Sequence, residues 1–169
     1  SDLTGVGYGL VWAADGESYY YTRVDEAWRP FQVWHHVVGE DPSADTLLFT
    51  EEDASYWLGI GGTHDDRWLV LSLGSKDTAE FHLLDLQDVE AGLRVVQPRT
   101  PGLDYDIEID GQRLYIVHNR DRVDYDGAEG PPGHPDLKGF GSGGKIYFWL
   151  RKGVVEGRAA HVGFVADSR

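Results

Sequence analysis

Tyr56-Trp57-Leu58-Gly59-Ile60, Trp68-Leu69-Val70-Leu71-Ser72-Leu73, Glu80-Phe81-His82-Leu83-Leu84-Asp85-Leu86 and Leu93-Arg94-Val95-Val96 read as four strands of one antiparallel sheet. The turns His64-Asp65-Asp66-Arg67 and Gly74-Ser75-Lys76-Asp77 separate the first three, and Gln97-Pro98 closes the unit. Short β-rich runs at steady spacing, broken by Gly, Asp and Ser, signal hairpins in series.

The same wording recurs on both sides. Tyr8-Gly9-Leu10-Val11-Trp12, with Asp15-Gly16 and Tyr19-Tyr20-Tyr21, precedes it; Tyr105-Asp106-Ile107-Glu108-Ile109, with Asp110-Gly111 and Leu114-Tyr115-Ile116-Val117, follows it. The opening tyrosines stand about 48–49 residues apart, within the period of about 40–50 residues that marks a four-stranded propeller blade. An ordinary sandwich is the alternative, but it does not explain why the turn chemistry recurs together with the spacing.

The reading is therefore all-β: blade one over 7–50, blade two over 56–98 and blade three over 104–166. Phe31–Gly39 and Thr46–Thr50 complete blade one. In blade three a long polar stretch, 120–144, intervenes before Lys145–Leu150 and Ala159–Val165, which are expected as its third and fourth strands. A stretch of that length is functional or inserted more often than structural. Three blades do not close a ring. Two copies related by a two-fold axis would make six, so a homodimer forming a six-bladed propeller is expected.

The chain has 169 residues, enough for one domain with a real core. Its net charge of −14 argues against nucleic acid and anionic membranes as partners. It has no cysteine, which excludes disulfides and thiolate metal sites. Nothing resembles a signal peptide or a membrane span, so a cytoplasmic location is expected.

Residues Val11–Gly16, Arg29–His36 and Glu51–Trp57 resemble the N-terminal propeller of oligopeptidase B, of the prolyl oligopeptidase serine peptidases, over about 1–119. The resemblance implies a propeller that filters peptides on their way to a separate α/β-hydrolase domain. No Gly-x-Ser-x-Gly nucleophile elbow occurs in these residues, so serine peptidase activity does not carry over to them. Phe140–Lys145, Phe148–Leu150 and Gly157–Arg169 resemble a different family, the vicinal oxygen chelate proteins of glyoxalase and bleomycin-resistance type, over about 136–169. That second resemblance implies a metal-ligating role for His161. Together the two resemblances suggest a chimera.

Propeller geometry gathers loops at one mouth. Glu51, Glu52, Asp53, Asp104, Asp106 and His118 are expected there, with Asp121, Asp124, Asp126 and His134 from the long stretch. Glu51, Asp53, Asp104, Asp106, His118, His134 and His161 are the candidate ligands of a divalent cation such as Zn²⁺, Mn²⁺ or Ca²⁺. A bound cation would activate water for hydrolysis of a small ester or phosphoester substrate. No organic cofactor is expected. Solvated loop charges in an acidic protein are the plainer alternative for each of these residues. The catalytic reading competes with a non-catalytic propeller module or a recombined or engineered sequence. His35 and His36 are adjacent on a strand and point to opposite faces, so they cannot chelate together. Gly139 to Lys145 has the spacing of a phosphate-binding loop, but Ile146 and a following strand argue against one.

Overall fold

Aspartate-centred turns set the hairpins. Asp15 Oδ1 accepts from the amides of Glu17 (2.8 Å) and Ser18 (3.2 Å), and Gly16 turns the chain at φ +70°. Asp25 Oδ1 accepts from Ala27 N (2.9 Å) and Arg29 N (3.0 Å) around Trp28 at φ 62°. Asp65 accepts from Thr63 Oγ1 (2.6 Å) and Arg67 N (3.3 Å) around Asp66 at φ 54°. A short acceptor side chain that bonds the backbone two residues on substitutes for a ladder bond, so each strand run stops at its Asp.

In this computed structural model the described residues are 5–110, 113–119, 126–130, 146–155 and 158–166, with side chains described for 5–109 and 113–119. They form thirteen strands: β1 (Val6–Trp12), β2 (Ser18–Val24), β3 (Pro30–Val37), β4 (Thr46–Thr50), β5 (Trp57–Gly62), β6 (Trp68–Gly74), β7 (Ala79–Asp85), β8 (Arg94–Gln97), β9 (Tyr105–Asp110), β10 (Arg113–His118), β11 (Asp126–Gly130), β12 (Ile146–Val155) and β13 (Arg158–Ala166). Among these residues no helix is long and apolar enough to cross a membrane. The chain divides into two compact units, 1–100 and 101–169.

The first unit holds two four-stranded antiparallel sheets, ordered β1-β2-β3-β4 and β5-β6-β7-β8. Alternation puts Val11, Tyr20 and Val33 of sheet one against Leu58, Leu69, Leu71, Leu73 and Leu84 of sheet two, all buried. Burial of each such side chain contributes about 1.5–3 kcal/mol, which is why the sheets stack face to face. The backbone of β1 comes close at Gly9: a Cβ there would lie 2.7 Å from Ile60 Cγ1, so only glycine fits.

In the second unit β9, β10 and β11 form a three-stranded sheet ordered β11-β10-β9, and β12 and β13 pair with each other as a separate two-stranded sheet. This corrects the expected blade three. The strand beside β10 is β11, drawn from within the stretch expected as loop 120–144, while the strands expected third and fourth make their own hairpin. The physical reason is proximity. β11 can return onto β10 after a short excursion, pairing Leu114 with Gly130 and His118 with Asp126. The runs at β12 and β13 are long, β-branched and aromatic, and adjacent in sequence, so they satisfy one another's backbone first.

Candidate functional site

Glu51 lies one residue beyond β4, with its side chain 5% exposed. Arg99, after β8, meets it across the unit: Nη2 donates to Glu51 Oε2 at 2.6 Å and Nη1 to Oε1 at 3.4 Å. The same Nη2 donates to Glu80 Oε1 at 3.0 Å, and the Arg99 amide donates to Glu80 Oε2 at 2.8 Å. Glu80 and His82 are two apart on β7, so they share the face that carries Leu69 and Leu71; His82 Nε2 lies 3.0 Å from Glu80 Oε1. The guanidinium also sits over the Tyr56 ring, 4.0 Å from its centroid. A planar fork on two carboxylates with a ring beneath it is a site for arginine and not for lysine.

The electrostatics follow from that geometry. Burial works against ionisation of Glu80, but the hydrogen bonds from the Arg99 side chain and amide outweigh it and hold the carboxyl below its ordinary value. Arg99 is raised above its ordinary value, first by its hydrogen bond to Glu51. Nearby, Arg29 Nη1 donates to the carbonyls of Asp53 (3.2 Å) and Tyr56 (3.1 Å), and its Nε to Asp25 Oδ2 (3.0 Å). These two arginines secure the crossing from sheet one to sheet two, where neither sheet supplies ladder partners for the chain.

A second polar network occupies the opposite face of sheet one. The Asp45 side chain is 1% exposed and bridges Tyr21 Oη (2.6 Å) and His36 Nδ1 (2.6 Å). Arg23 donates to Tyr21 Oη at 2.6 Å and lies 4.1 Å from the Trp34 ring centroid. Burial, followed by the bond to Asp45, pushes the Tyr21 hydroxyl up to about 12. His35, its neighbour on β3, points the other way and stacks on Tyr20 at 4.8 Å, as strand alternation requires.

The expected metal ligands do not assemble among the described residues, where no group of three or more His, Cys, Asp or Glu side chains could hold an ion. Glu51 is engaged by Arg99. Asp53 is exposed and holds its own turn, accepting from Ser55 Oγ (2.7 Å) and Ser55 N (2.9 Å), which lowers its carboxyl. Asp106 and His118 share one hairpin but not one face. Asp106 pairs with Val117 while His118 pairs with Tyr105, so Asp106 is exposed and His118 is 3% exposed on the buried side with Leu114 and Ile116. Asp104 lies just before β9, where its amide donates to Asn119 Oδ1 (2.9 Å) and its carbonyl accepts from Asn119 N (3.1 Å). His134, Asp121 and Asp124 lie outside the described residues. His161 is on β13 opposite Arg151, and its side chain lies outside them too.

Sequence reasoning missed Arg99, Glu80 and Arg29. The one available signal was an arginine set just outside a strand run, Arg29 before β3 and Arg99 after β8. It missed Asp45 as well, because Asp45 reads as one more turn residue.

Comparison with known proteins agrees with the sheet architecture. Residues 2–126 match the model described as prolyl oligopeptidase, N-terminal beta-propeller domain. Protease 2 of Moraxella lacunata is 33% identical over 119 residues, covering 70% of this chain and 17% of that protein. The structure of oligopeptidase B from Leishmania major superposes with a TM-score of 0.73 at 32% identity, covering 78% of this chain and 19% of that one. Oligopeptidase B from Trypanosoma brucei, solved with covalently bound antipain in a closed form, gives 0.73 at 29% identity, covering 80% and 20%. The chain thus spans about a fifth or less of the length of these relatives. The match covers the paired β-sheets of residues 5–100 and continues through the β9–β10 hairpin, and on it the chain belongs to the family of prolyl oligopeptidase N-terminal β-propeller domains.

Proposed function

We propose that this chain serves as a non-catalytic propeller segment, forming part of the wall that filters peptides in a larger peptidase of the oligopeptidase B type. The observation that carries this reading is the fate of Glu51. Glu51, one of the expected metal ligands, is bound by Arg99 from the chain leaving the next sheet, so the acidic corner holds blades together instead of holding an ion. The resemblance of residues 136–169 to the glyoxalase type, and with it the chimera, rests on the wording of the tail alone.

A metal-dependent hydrolase of small esters or phosphoesters is the second reading. It is favoured by the register that brings His118 opposite Tyr105, beside Asp104. Turnover of nitrophenyl esters and phosphodiesters by the purified chain, with and without added Zn²⁺, Mn²⁺ or Ca²⁺, separates the two. The first reading expects no turnover above buffer under either condition. Turnover that is lost on chelation and in His118→Ala would overturn it in favour of the second.

A further inference from the structure

Consecutive residues at one end of sheet two carry buried hydrogen-bond donors that the protein does not match. Trp68, the first residue of β6, is 6% exposed, and its indole Nε1 has no acceptor among the described residues. The same holds for the buried Nε of Arg67, the residue before it. The turn satisfies the Trp68 backbone: its amide donates to Thr63 Oγ1 at 3.0 Å, and its carbonyl accepts from Thr63 N at 3.0 Å. The indole N–H is what is left over. Buried donors in folded proteins almost always find an acceptor, either in the protein or in ordered water.

The register shows what accompanies them. Trp68 pairs with Asp85 across β6 and β7, and direct cross-strand partners share a face. That face is opposite the one on which Leu69, Leu71 and Leu73 pack against sheet one. Arg67 turns onto the same cluster: Nη2 donates to Asp85 Oδ2 at 2.9 Å, and the guanidinium carbon lies 5.2 Å from the Trp68 ring centroid. Asp85 Oδ1 accepts from Gln87 N at 3.0 Å, and the carboxylate still has lone pairs to spare. Unmatched donors and a carboxylate with spare capacity therefore share one cluster, built within sheet two alone.

We propose that this cluster is a binding site for a single internal water, which accepts from Trp68 Nε1 and Arg67 Nε and donates to the Asp85 carboxylate. About three hydrogen bonds are the usual complement of a buried water. Charge selects water over an anion. The Arg67 guanidinium is already paired with Asp85 and also feels Asp65, so chloride or phosphate would find its positive charge met. A neutral molecule that both accepts and donates suits all of these groups. The bound water ties the β5–β6 turn to the end of β7, beside the bond from Leu86 N to Arg67 O at 2.8 Å. It also gives the polar edge of the indole the partner that such a ring takes when buried.

Nuclear magnetic resonance of the full ¹⁵N-labelled chain tests the inference. The chain has six tryptophans, and the indole signal missing in Trp68→Phe identifies that of Trp68. This signal should show cross-peaks to water of opposite sign in NOE and ROE spectra, the mark of a long-lived bound molecule; cross-peaks of the same sign report exchange instead. Arg67→Lys keeps a cation beside Asp85 but lacks the Nε donor. The water cross-peak should fall about two-fold or more in that variant, as the water loses one of its partners. Replacing chloride by sulfate in the buffer should leave the Trp68 indole shift in place. No NOE-type cross-peak to water in the parent chain overturns the inference. So does a cross-peak indifferent to Arg67→Lys, or an indole shift that titrates with chloride, which would put an anion in the site.

Discussion

Arg99 Nη2 lies 2.6 Å from Glu51 Oε2, joining the strand-end of sheet one to the chain leaving sheet two across 48 residues of sequence. Removing the guanidinium leaves a buried carboxylate with one backbone donor, the amide of Asp53 at 2.8 Å. Arg99→Ala should cost about 3 kcal/mol, the scale for orphaning one partner of a buried pair. Arg99→Lys should recover only part of this, since an ammonium cannot fork onto two carboxylates. Arg67→Ala, which breaks the more exposed pair to Asp85 at 2.9 Å, should cost less than about 1 kcal/mol. Urea unfolding of the three variants checks the order.

Acid should loosen the same junction. Glu80 is held below its ordinary value of 4.5 in the folded chain, so the unfolded chain takes up the proton first. The stabilisation is therefore fully present above the ordinary value and is lost as pH falls through the lower folded one. Asp85, lowered first by its hydrogen bond from Arg67, adds in the same direction. Unfolding free energy followed downward from neutral pH should fall steeply in the acid range. In Glu80→Gln that slope should be shallower. An unchanged slope would mean that Glu80 does not carry the effect.

Alkali should act on the second network through Tyr21. Its hydroxyl is moved from 10.0 to about 12 by burial, with Asp45 reinforcing the shift. A raised folded value means that stability is intact below pH 10 and declines between pH 10 and about 12, as the unfolded chain ionises first. Tyr21→Phe should lack this component of the decline while starting from lower stability, because Asp45 loses a 2.6 Å donor. Denaturant midpoints of the two proteins across that range give the comparison.

The close approach of β1 to β5 makes Gly9 intolerant of any side chain. A Cβ at Gly9 would meet Ile60 Cγ1 at 2.7 Å and Thr22 Cγ2 at 3.1 Å, so Gly9→Ala should destabilise by about 1–3 kcal/mol through overpacking. Gly61, also on the sheet but with nothing within 4 Å of its Cβ position, provides the contrast: Gly61→Ala should be close to neutral or slightly stabilising. Thermal unfolding of both variants tests whether the space between the sheets is as tight as the geometry gives it.

Local patterning determined much of this protein. Alternating apolar residues and Asp-centred turns specify the hairpins of residues 6–50 and 57–97, because strand period and turn chemistry act over a few residues. They also place His35 and His36 on opposite faces, and the same alternation separates Asp106 from His118 once their strands pair. Only the tertiary structure decided which strand lies beside β10, since several β-rich runs could fill that place and the choice turns on chain return and competing pairs. Only it decided that Glu51 belongs to Arg99, because an acid in a turn reads the same whether it faces water, a metal or an arginine 48 residues away. Pairing across sheets depends on how two faces stack, and no local period in the chain encodes that.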